Sequence, residues 1–301
     1  MQTLMAYLRL MRPANLPTAL ADIWLGYAAS GSLLKFSGFF NYTPIDFVDF
    51  HWLCWATLGL YAGGVVMNDV FDYALDKVER PERPLPSGKA SRPGATMLGF
   101  ALLAGGIGAA AQVNFLSFYL ALAIAGAVLL YDGLAKHHVF LGPFTMGLCR
   151  AGNLALGISL VPERLAQVWF LLLIPLLFIG AVTLVSQGEV HGGTKKPLWL
   201  AALLYLIVAL MVLGLGLWSK FHLLWALPFL LLWLAWVLPP LWKALRTLEA
   251  RYLMKAVKAG VLSLIILDAS LAAGFVGVEF GVLTLGLLPL SLALARAFAV
   301  T

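Results

Sequence analysis

The sequence predicts an all-α fold, a polytopic membrane helix bundle, and three observations carry that prediction. Of its 301 residues, 62% are hydrophobic and only 11% are charged, against about 25% charged in a soluble globular domain. The apolar residues fall in runs long enough to cross a bilayer, which takes roughly 20 residues each. The basic residues between those runs collect on one side when the loops are threaded alternately, as cytoplasmic loops require. A soluble domain of this length has nowhere to hide so much apolar surface, so lipid is the solvent.

Taken in order, Met1 to Met11 is amphipathic and too short to span, and reads as an interfacial helix leading into the first membrane segment. No cleavable signal peptide is evident. Spans are expected near 14–34, 50–68, 94–112, 115–131, 140–161, 166–186, 197–217, 222–242, 256–276 and 280–299. The last two are open to being one broken helix and an interfacial piece, so the count is nine or ten. All belong to a single domain over 1–301, since the longest polar stretch, about 68–93, is too short to fold alone. Gly105-Gly106-Ile107-Gly108 in the third span would let a neighbouring helix approach closely. The seventh span, rich in Leu and Val between Leu203 and Leu213, is bulkier, which suggests a mix of close-packed and lipid-facing helices.

Alternate threading gives one side Arg9, Arg12, Lys77, Arg80, Arg83, Lys89, Arg92, Lys136, Lys195, Lys196, Lys243, Arg246, Arg251, Lys255 and Lys258, and the other only Lys35, Arg164 and Lys220. That asymmetry places the N-terminus and the polar loops in the cytoplasm, with a bacterial plasma membrane as the expected home. It also accounts for the net charge of +6 and the pI of about 9.4 without a nucleic-acid partner. Cys54 and Cys149 lie inside apolar runs with no metal-ligand spacing and read as packing residues.

The chemistry concentrates at the end of the second span. Asn68, Asp72 and Asp76 lie at i, i+4 and i+8, and Asp69 lies three and seven residues before the last two. On a helix these side chains share one face. Stacked carboxylates repel unless a cation sits among them, and Mg²⁺ suits one or two carboxylates with water and phosphate oxygens. A solvated acidic helix end is the plainer alternative. Next come Arg80-Pro81 and Arg83-Pro84. Proline restricts the residue before it, which would hold both arginines on an extended, pre-organised loop, and guanidinium groups bind phosphate oxygens in pairs. Metal-binding carboxylates followed by arginines describe a metal–diphosphate site, although the arginines alone would also pass as ordinary cytoplasmic-loop residues.

The pattern Asn68-Asp69-x-x-Asp72-x-x-x-Asp76 followed by Arg80-Pro-x-Arg83-Pro-Leu-Pro-Ser-Gly88 resembles the first signature of the UbiA superfamily of intramembrane prenyltransferases. Arg12-Pro13-x-Asn15 is similar to the start of that family's first helix. The resemblance implies nine spans around a central cavity and Mg²⁺-dependent transfer of an isoprenyl group from a polyprenyl diphosphate to an aromatic or other small hydrophobic acceptor within the membrane. It implies metal-associated roles for Asn68, Asp69, Asp72 and Asp76, catalytic ones for Asp72 and Asp76, and a diphosphate facing Arg80 and Arg83, with Arg12 as a further contact. In Tyr131-Asp132-Gly133-Leu134-Ala135-Lys136, the resemblance points to Lys136 as a phosphate contact. Tyr131 would lie on the cavity wall or serve as an interfacial tyrosine, and Asp132 would contact metal or acceptor. His137 and His138 read as headgroup residues.

Arg150 and Asn153 are one turn apart inside the fifth span, where a charge normally faces a bundle interior with a partner. They are expected either to bind substrate or to form a structural pair with Asp22 or Asp268. In the loop after the sixth span, where most family members carry two aspartates, Ser186-Gln187-Gly188-Glu189-Val190-His191 has one carboxylate. Glu189 would hold a metal or act as a base, and His191 would be a ligand or base, against a plain solvated loop. Ser-x-Gly-Glu with Cys-Arg-x-x-Asn resembles the EboC-like branch of the superfamily. Two other functions stand beside prenyl transfer: non-catalytic binding or transport of a hydrophobic metabolite or isoprenoid lipid, and transfer of a group onto a polyprenyl phosphate.

Overall fold

A segment crossing lipid must satisfy its own N–H and C=O groups, which an α-helix does. The computed structural model describes residues 2–32, 44–136, 138–188 and 192–298, and holds only helices and turns among them. The helices are α1 (Gln2–Leu10), α2 (Leu16–Ser30), α3 (Pro44–Phe71), α4 (Tyr73–Glu79), α5 (Arg92–Ala111), α6 (Phe115–Leu130), α7 (Leu141–Ile158) and α8 (Pro162–Val168). After them come α9 (Leu173–Ser186), α10 (Lys195–Leu215), α11 (Leu223–Thr247), α12 (Ala250–Val276), α13 (Val278–Leu285) and α14 (Leu287–Ala297). Short 3₁₀ turns over Pro13–Asn15 and Trp169–Leu172, and a π turn over Tyr131–Ala135, connect or extend them.

Among the described residues, eight stretches are long and apolar enough to cross a membrane, fewer than the nine or ten expected. They are provided by α3, α5, α6, α8 with α9, α10, α11, α12, and α13 with α14, whose break falls at Gly286. Two expected spans fall short. Helix α2 runs for 15 residues, and α7 carries Arg150 and Asn153 in its 18. Both lie largely buried among other helices, where protein rather than lipid surrounds the polar side chains. The chain is an integral multi-pass membrane protein.

Small residues set the closest contacts. A Cβ on Gly59 of α3 would lie 2.9 Å from Gly106 Cα on α5, and one on Gly63 would lie 2.9 Å from the Leu103 backbone. Gly106 is therefore the residue of the glycine run that admits a neighbour, while Gly105 and Gly108 face open space. Gly26 of α2 and Gly157 of α7 meet in the same way. Helix α10 has the opposite character: Leu203, Leu206, Leu210 and Leu213 form an exposed stripe, and Tyr205, Val208 and Val212 are buried behind it. That is the lipid-facing pattern expected there. The most enclosed span is α12, packed against α2, α9, α11 and α13.

Helix α1 does more than lie at an interface. Ala6 and Leu10 are buried in a cluster with Val66, Val70, Leu85 and Ala90, so α1 docks on the end of α3 and the loop after α4. That loop is folded rather than extended. Arg83, Ser87, Gly88 and Ala90 donate their N–H groups to the carbonyls of Arg80, Arg83, Leu85 and Pro84, and Gly88 supplies a φ of 72° that favours glycine. The prolines remove donors, and the remaining N–H groups close successive turns.

Candidate active site

Proline at position 13 disfavours the right-handed helical region for Arg12, which takes φ 45° and ψ 63°. The left-handed region costs a non-glycine residue roughly 1–3 kcal/mol. The turn aims Arg12 at the end of α3, where Nη2 lies 2.7 Å from Asp69 Oδ1. Burial works against the Arg12 charge, but Asp69, with Tyr61 and Asp76, more than offsets it, so the guanidinium holds its proton more tightly than usual.

The acidic stripe is divided among partners. Helix α3 ends at Phe71 and α4 begins at Tyr73, so the chain bends at Asp72. Asp69 pairs with Arg12 and lies 3.4 Å from Arg83, Asp76 pairs with Arg83 at 2.7 Å, and Asp72 pairs with Lys136 at 2.5 Å. Asn68 donates from Nδ2 to Asp132 Oδ1 at 2.7 Å. The carboxylates expected to converge on metal thus split into two groups: Asp69 and Asp76 orient arginines, while Asp72 and Asp132 stand with Asn68 and Lys136. Arg80 caps α4 through its N–H on the Asp76 carbonyl, and among the described residues its side chain makes no ion pair.

Lys136 and Asp132 reach this place through the π turn. The Lys136 N–H bonds the Tyr131 carbonyl five residues back at 2.9 Å. The wider turn sets Tyr131 and Asp132 against one cavity and swings Lys136 onto Asp72. His138 lies at the start of α7, its Nδ1 accepting from the N–H groups of Phe140 and Leu141.

The cavity has a volume of about 330 Å³. Its loop end carries Arg12, Asn68, Tyr131 and Asp132, and its depth is mostly apolar, with Ile124, Val128, Met146, Ile179, Val182 and Leu264. Cys149, expected only to pack, also lines it. Residues missed from the sequence are Asn15 and Thr18, and Thr57 and Tyr61 on α3. A signal for the last two existed: Thr57, Tyr61, Gly64 and Asn68 recur at 4, 3 and 4 residues, one helical face running inward from the acidic end.

At the depth of α7, Arg150 Nε stands 2.8 Å from Asp22 Oδ2, and its Nη2 donates to the Thr18 carbonyl at 2.5 Å. Asp22 is therefore its partner, while Asp268 approaches Asp22 from α12. Asn153 donates to the Ala19 carbonyl and to Asp22, and accepts from Thr57 at 2.6 Å. Expected as a substrate contact, Asn153 has both amide donors engaged within the protein, so it shapes the cavity by tying α2, α3 and α7 together. Arg150 has N–H groups to spare and lines the cavity. The expected roles of Glu189 and His191, and the reading of His137, fall outside the described residues.

No three His, Cys, Asp or Glu side chains converge as a metal cage among the described residues. The donors present still suit Mg²⁺, which takes one or two carboxylates and leaves its other positions to water and phosphate. Asp132 Oδ2 is buried without a hydrogen-bond partner at the cavity edge, an acceptor a cation would satisfy.

Comparison with known proteins agrees with this architecture. The model of the UbiA prenyltransferase family matches residues 25–258. A digeranylgeranylglyceryl phosphate synthase from Thermococcus kodakarensis is 43% identical over 81 residues, covering 27% of this chain and 29% of the relative. One from Methanothrix thermoacetophila is 34% identical over 152 residues, covering 50% and 49%. The chain thus spans no more than about half the length of these curated relatives. These are not EboC-like proteins, the branch the fifth span and the loop after the sixth suggested. Among solved structures, a digeranylgeranylglyceryl phosphate synthase superposes with a TM-score of 0.66 at 22% identity, covering 92% of this chain and 99% of that one. A homolog from Archaeoglobus fulgidus bound to GPP and Mg²⁺ gives 0.59 at 15%, covering 97% and 99%. The chain belongs to the UbiA prenyltransferase family.

Proposed function

We propose that the chain transfers an isoprenyl group from a polyprenyl diphosphate to an isoprenyl-glyceryl phosphate acceptor within the membrane. The observation that carries this reading is the cavity itself, with Arg12, held by Asp69, beside Asn68 and Asp132 at its mouth, an apolar interior behind them, and the Arg83–Asp76 and Lys136–Asp72 pairs made by the same acidic segment. Arg12, Arg83 and Lys136 are pre-oriented by Asp69, Asp76 and Asp72, so they can meet diphosphate oxygens without searching for a geometry. Asn68, Asp72 and Asp132 would hold Mg²⁺, which when bound neutralises charge on the departing diphosphate. Asp69 and Asp76 act through the arginines they orient.

The allylic C–O bond breaks as these cations stabilise the leaving group. The diphosphate leaves with the electron pair of that bond, the apolar walls keep water from the carbocation, and the acceptor hydroxyl oxygen bonds to it and gives up its proton to the departing diphosphate. Ile124, Val128, Ile179 and Val182 face the isoprenyl chain, with Tyr131 on the wall near the reacting end. Among the aromatic or other small acceptors expected from the sequence, a glyceryl phosphate is favoured, because the curated relatives are named for a glyceryl phosphate product. The basic asymmetry of the loops supports a cytoplasmic N-terminus and site mouth. The curated relatives are archaeal, so they lend no support to a bacterial home.

The test is purified protein in neutral detergent with Mg²⁺, labelled geranylgeranyl diphosphate, an isoprenyl-glyceryl phosphate and a panel of aromatic acceptors. Product is expected with the glyceryl phosphate. Asp132→Asn, which keeps a partner for Asn68 but removes the charge, is expected to raise the Mg²⁺ requirement at least fivefold. Absence of product from every acceptor would refute the reading.

A further inference from the structure

A second cavity, about 450 Å³, lies beside the first, walled by α1, the Pro13–Asn15 turn, α12 and α14. The two meet at Arg12, Asn15, Val257 and Val261, which line both. Their charge differs in kind. The cations that line the first cavity are paired with carboxylates, Arg12 with Asp69 and Arg150 with Asp22. The second carries Arg9, Arg12 and Lys258 and no acidic residue among its lining. Arg9 Nε is buried there with no hydrogen-bond partner. Val257, Val261 and Leu262 supply an apolar floor, and the exposed Met254 and Lys258, one turn apart on α12, flank the opening. Ser291 of α14 bonds the Ala14 carbonyl and so fixes the far wall.

A buried donor without a partner destabilises the fold unless something accepts from it. Arg9 and Lys258, which make no ion pair among the described residues, stand over an apolar floor beside the Asp69-bound Arg12, and such a pair of cations suits a phosphate monoester on a lipid rather than a neutral headgroup. We propose that this cavity is the acceptor site: Arg9 and Lys258, with Arg12 shared between the cavities, hold the acceptor's phosphate, and the glycerol end meets the reacting carbon across the shared wall. The proposal rests on the transferase reading, and it assigns that reaction two anion sites separated by Arg12.

The test reads binding without turnover, using the full chain in neutral detergent with no diphosphate and no Mg²⁺. The probes are an isoprenyl-glyceryl phosphate, the same lipid without its phosphate, and inorganic phosphate, followed by tryptophan fluorescence or calorimetry. The double variant Arg9→Gln, Lys258→Gln is expected to weaken the phosphorylated lipid at least tenfold, as loss of charge-assisted hydrogen bonds does, and to leave the dephosphorylated lipid unchanged. Arg9→Lys, Lys258→Arg should recover most of the affinity. Binding of geranylgeranyl diphosphate, measured separately, reports that the variant is folded.

Equal weakening of both lipids would overturn the proposal. So would inorganic phosphate binding as tightly as the phospholipid, which would indicate a free-anion site. An effect seen only in vesicles containing anionic lipid would trace Arg9 and Lys258 to membrane surface charge instead. Normal acceptor binding in the variants of an active enzyme removes this site and leaves the transferase standing. Intact phosphate-dependent binding with no transfer removes the transferase and leaves the site.

Discussion

Replacing Arg150 with methionine removes a cation from the bundle interior while keeping most of its volume. Arg150 is 7% exposed and Asp22 is 0%, so the carboxylate left behind is out of reach of water. Breaking a buried ion pair by removing one member costs about 3–5 kcal/mol, because the remaining charge is uncompensated. The Thr18 carbonyl also loses its 2.5 Å donor. The single variant should therefore lose about 3–5 kcal/mol. The double variant Asp22→Leu, Arg150→Met should regain most of it, since two well-packed apolar groups replace a buried pair at little net change. Asn153 keeps its bonds to Ala19 and Thr57 in either background, while the double variant also gives up Asp22 as the acceptor of Asn153 and the neighbour of Asp268, which keeps the recovery short of complete. Unfolding by a strong detergent titrated into mixed micelles, followed by tryptophan fluorescence, measures both. A single variant within about 1 kcal/mol of the parent, or a double no better than the single, would refute the account of Arg150 as the tie between α2 and α7.

Lys136→Gln breaks the pair with Asp72 and removes a proposed diphosphate contact; the KM for the diphosphate is expected to rise by about 10- to 100-fold, while the KM for the acceptor moves far less. Steady-state kinetics with each substrate varied in turn checks this. Gly106→Ala, whose new Cβ would sit 2.8 Å from the Ala56 carbonyl oxygen, is expected to lower thermal stability, and Gly105→Ala, which meets nothing within 4 Å, is not. A melting series in one detergent distinguishes them.

The fold was legible because lipid imposes a simple rule on the backbone, and loop charge recorded which ends share a side. The site was half legible. Periodicity located the acidic face of α3, and the same period carried further inward would have reached Tyr61 and Thr57. Periodicity could not show that Arg12, 57 residues before Asp69, would arrive to pair with it, because that depends on a left-handed turn at a non-glycine residue. Nor could it show that a π turn would add a residue to the end of α6 and bring Lys136 to Asp72. The division of the carboxylates among Arg12, Arg83 and Lys136 is likewise a tertiary fact. Spacing along one helix shows which side chains can meet, but not which partner from another helix reaches them first.

The bond from Ser291 to the Ala14 carbonyl joins positions 277 residues apart, and this has a consequence for biogenesis. A ribosome adding about 5–20 residues per second delivers residue 291 on the order of 15–55 seconds after residue 14. Through that interval the Arg12 turn lacks the wall it rests on, and Arg9 and Lys258 have no shared chamber. On the proposed two-site reading, neither lipid is bound productively by a nascent chain, however many helices have already entered the bilayer. On that reading competence waits for α14.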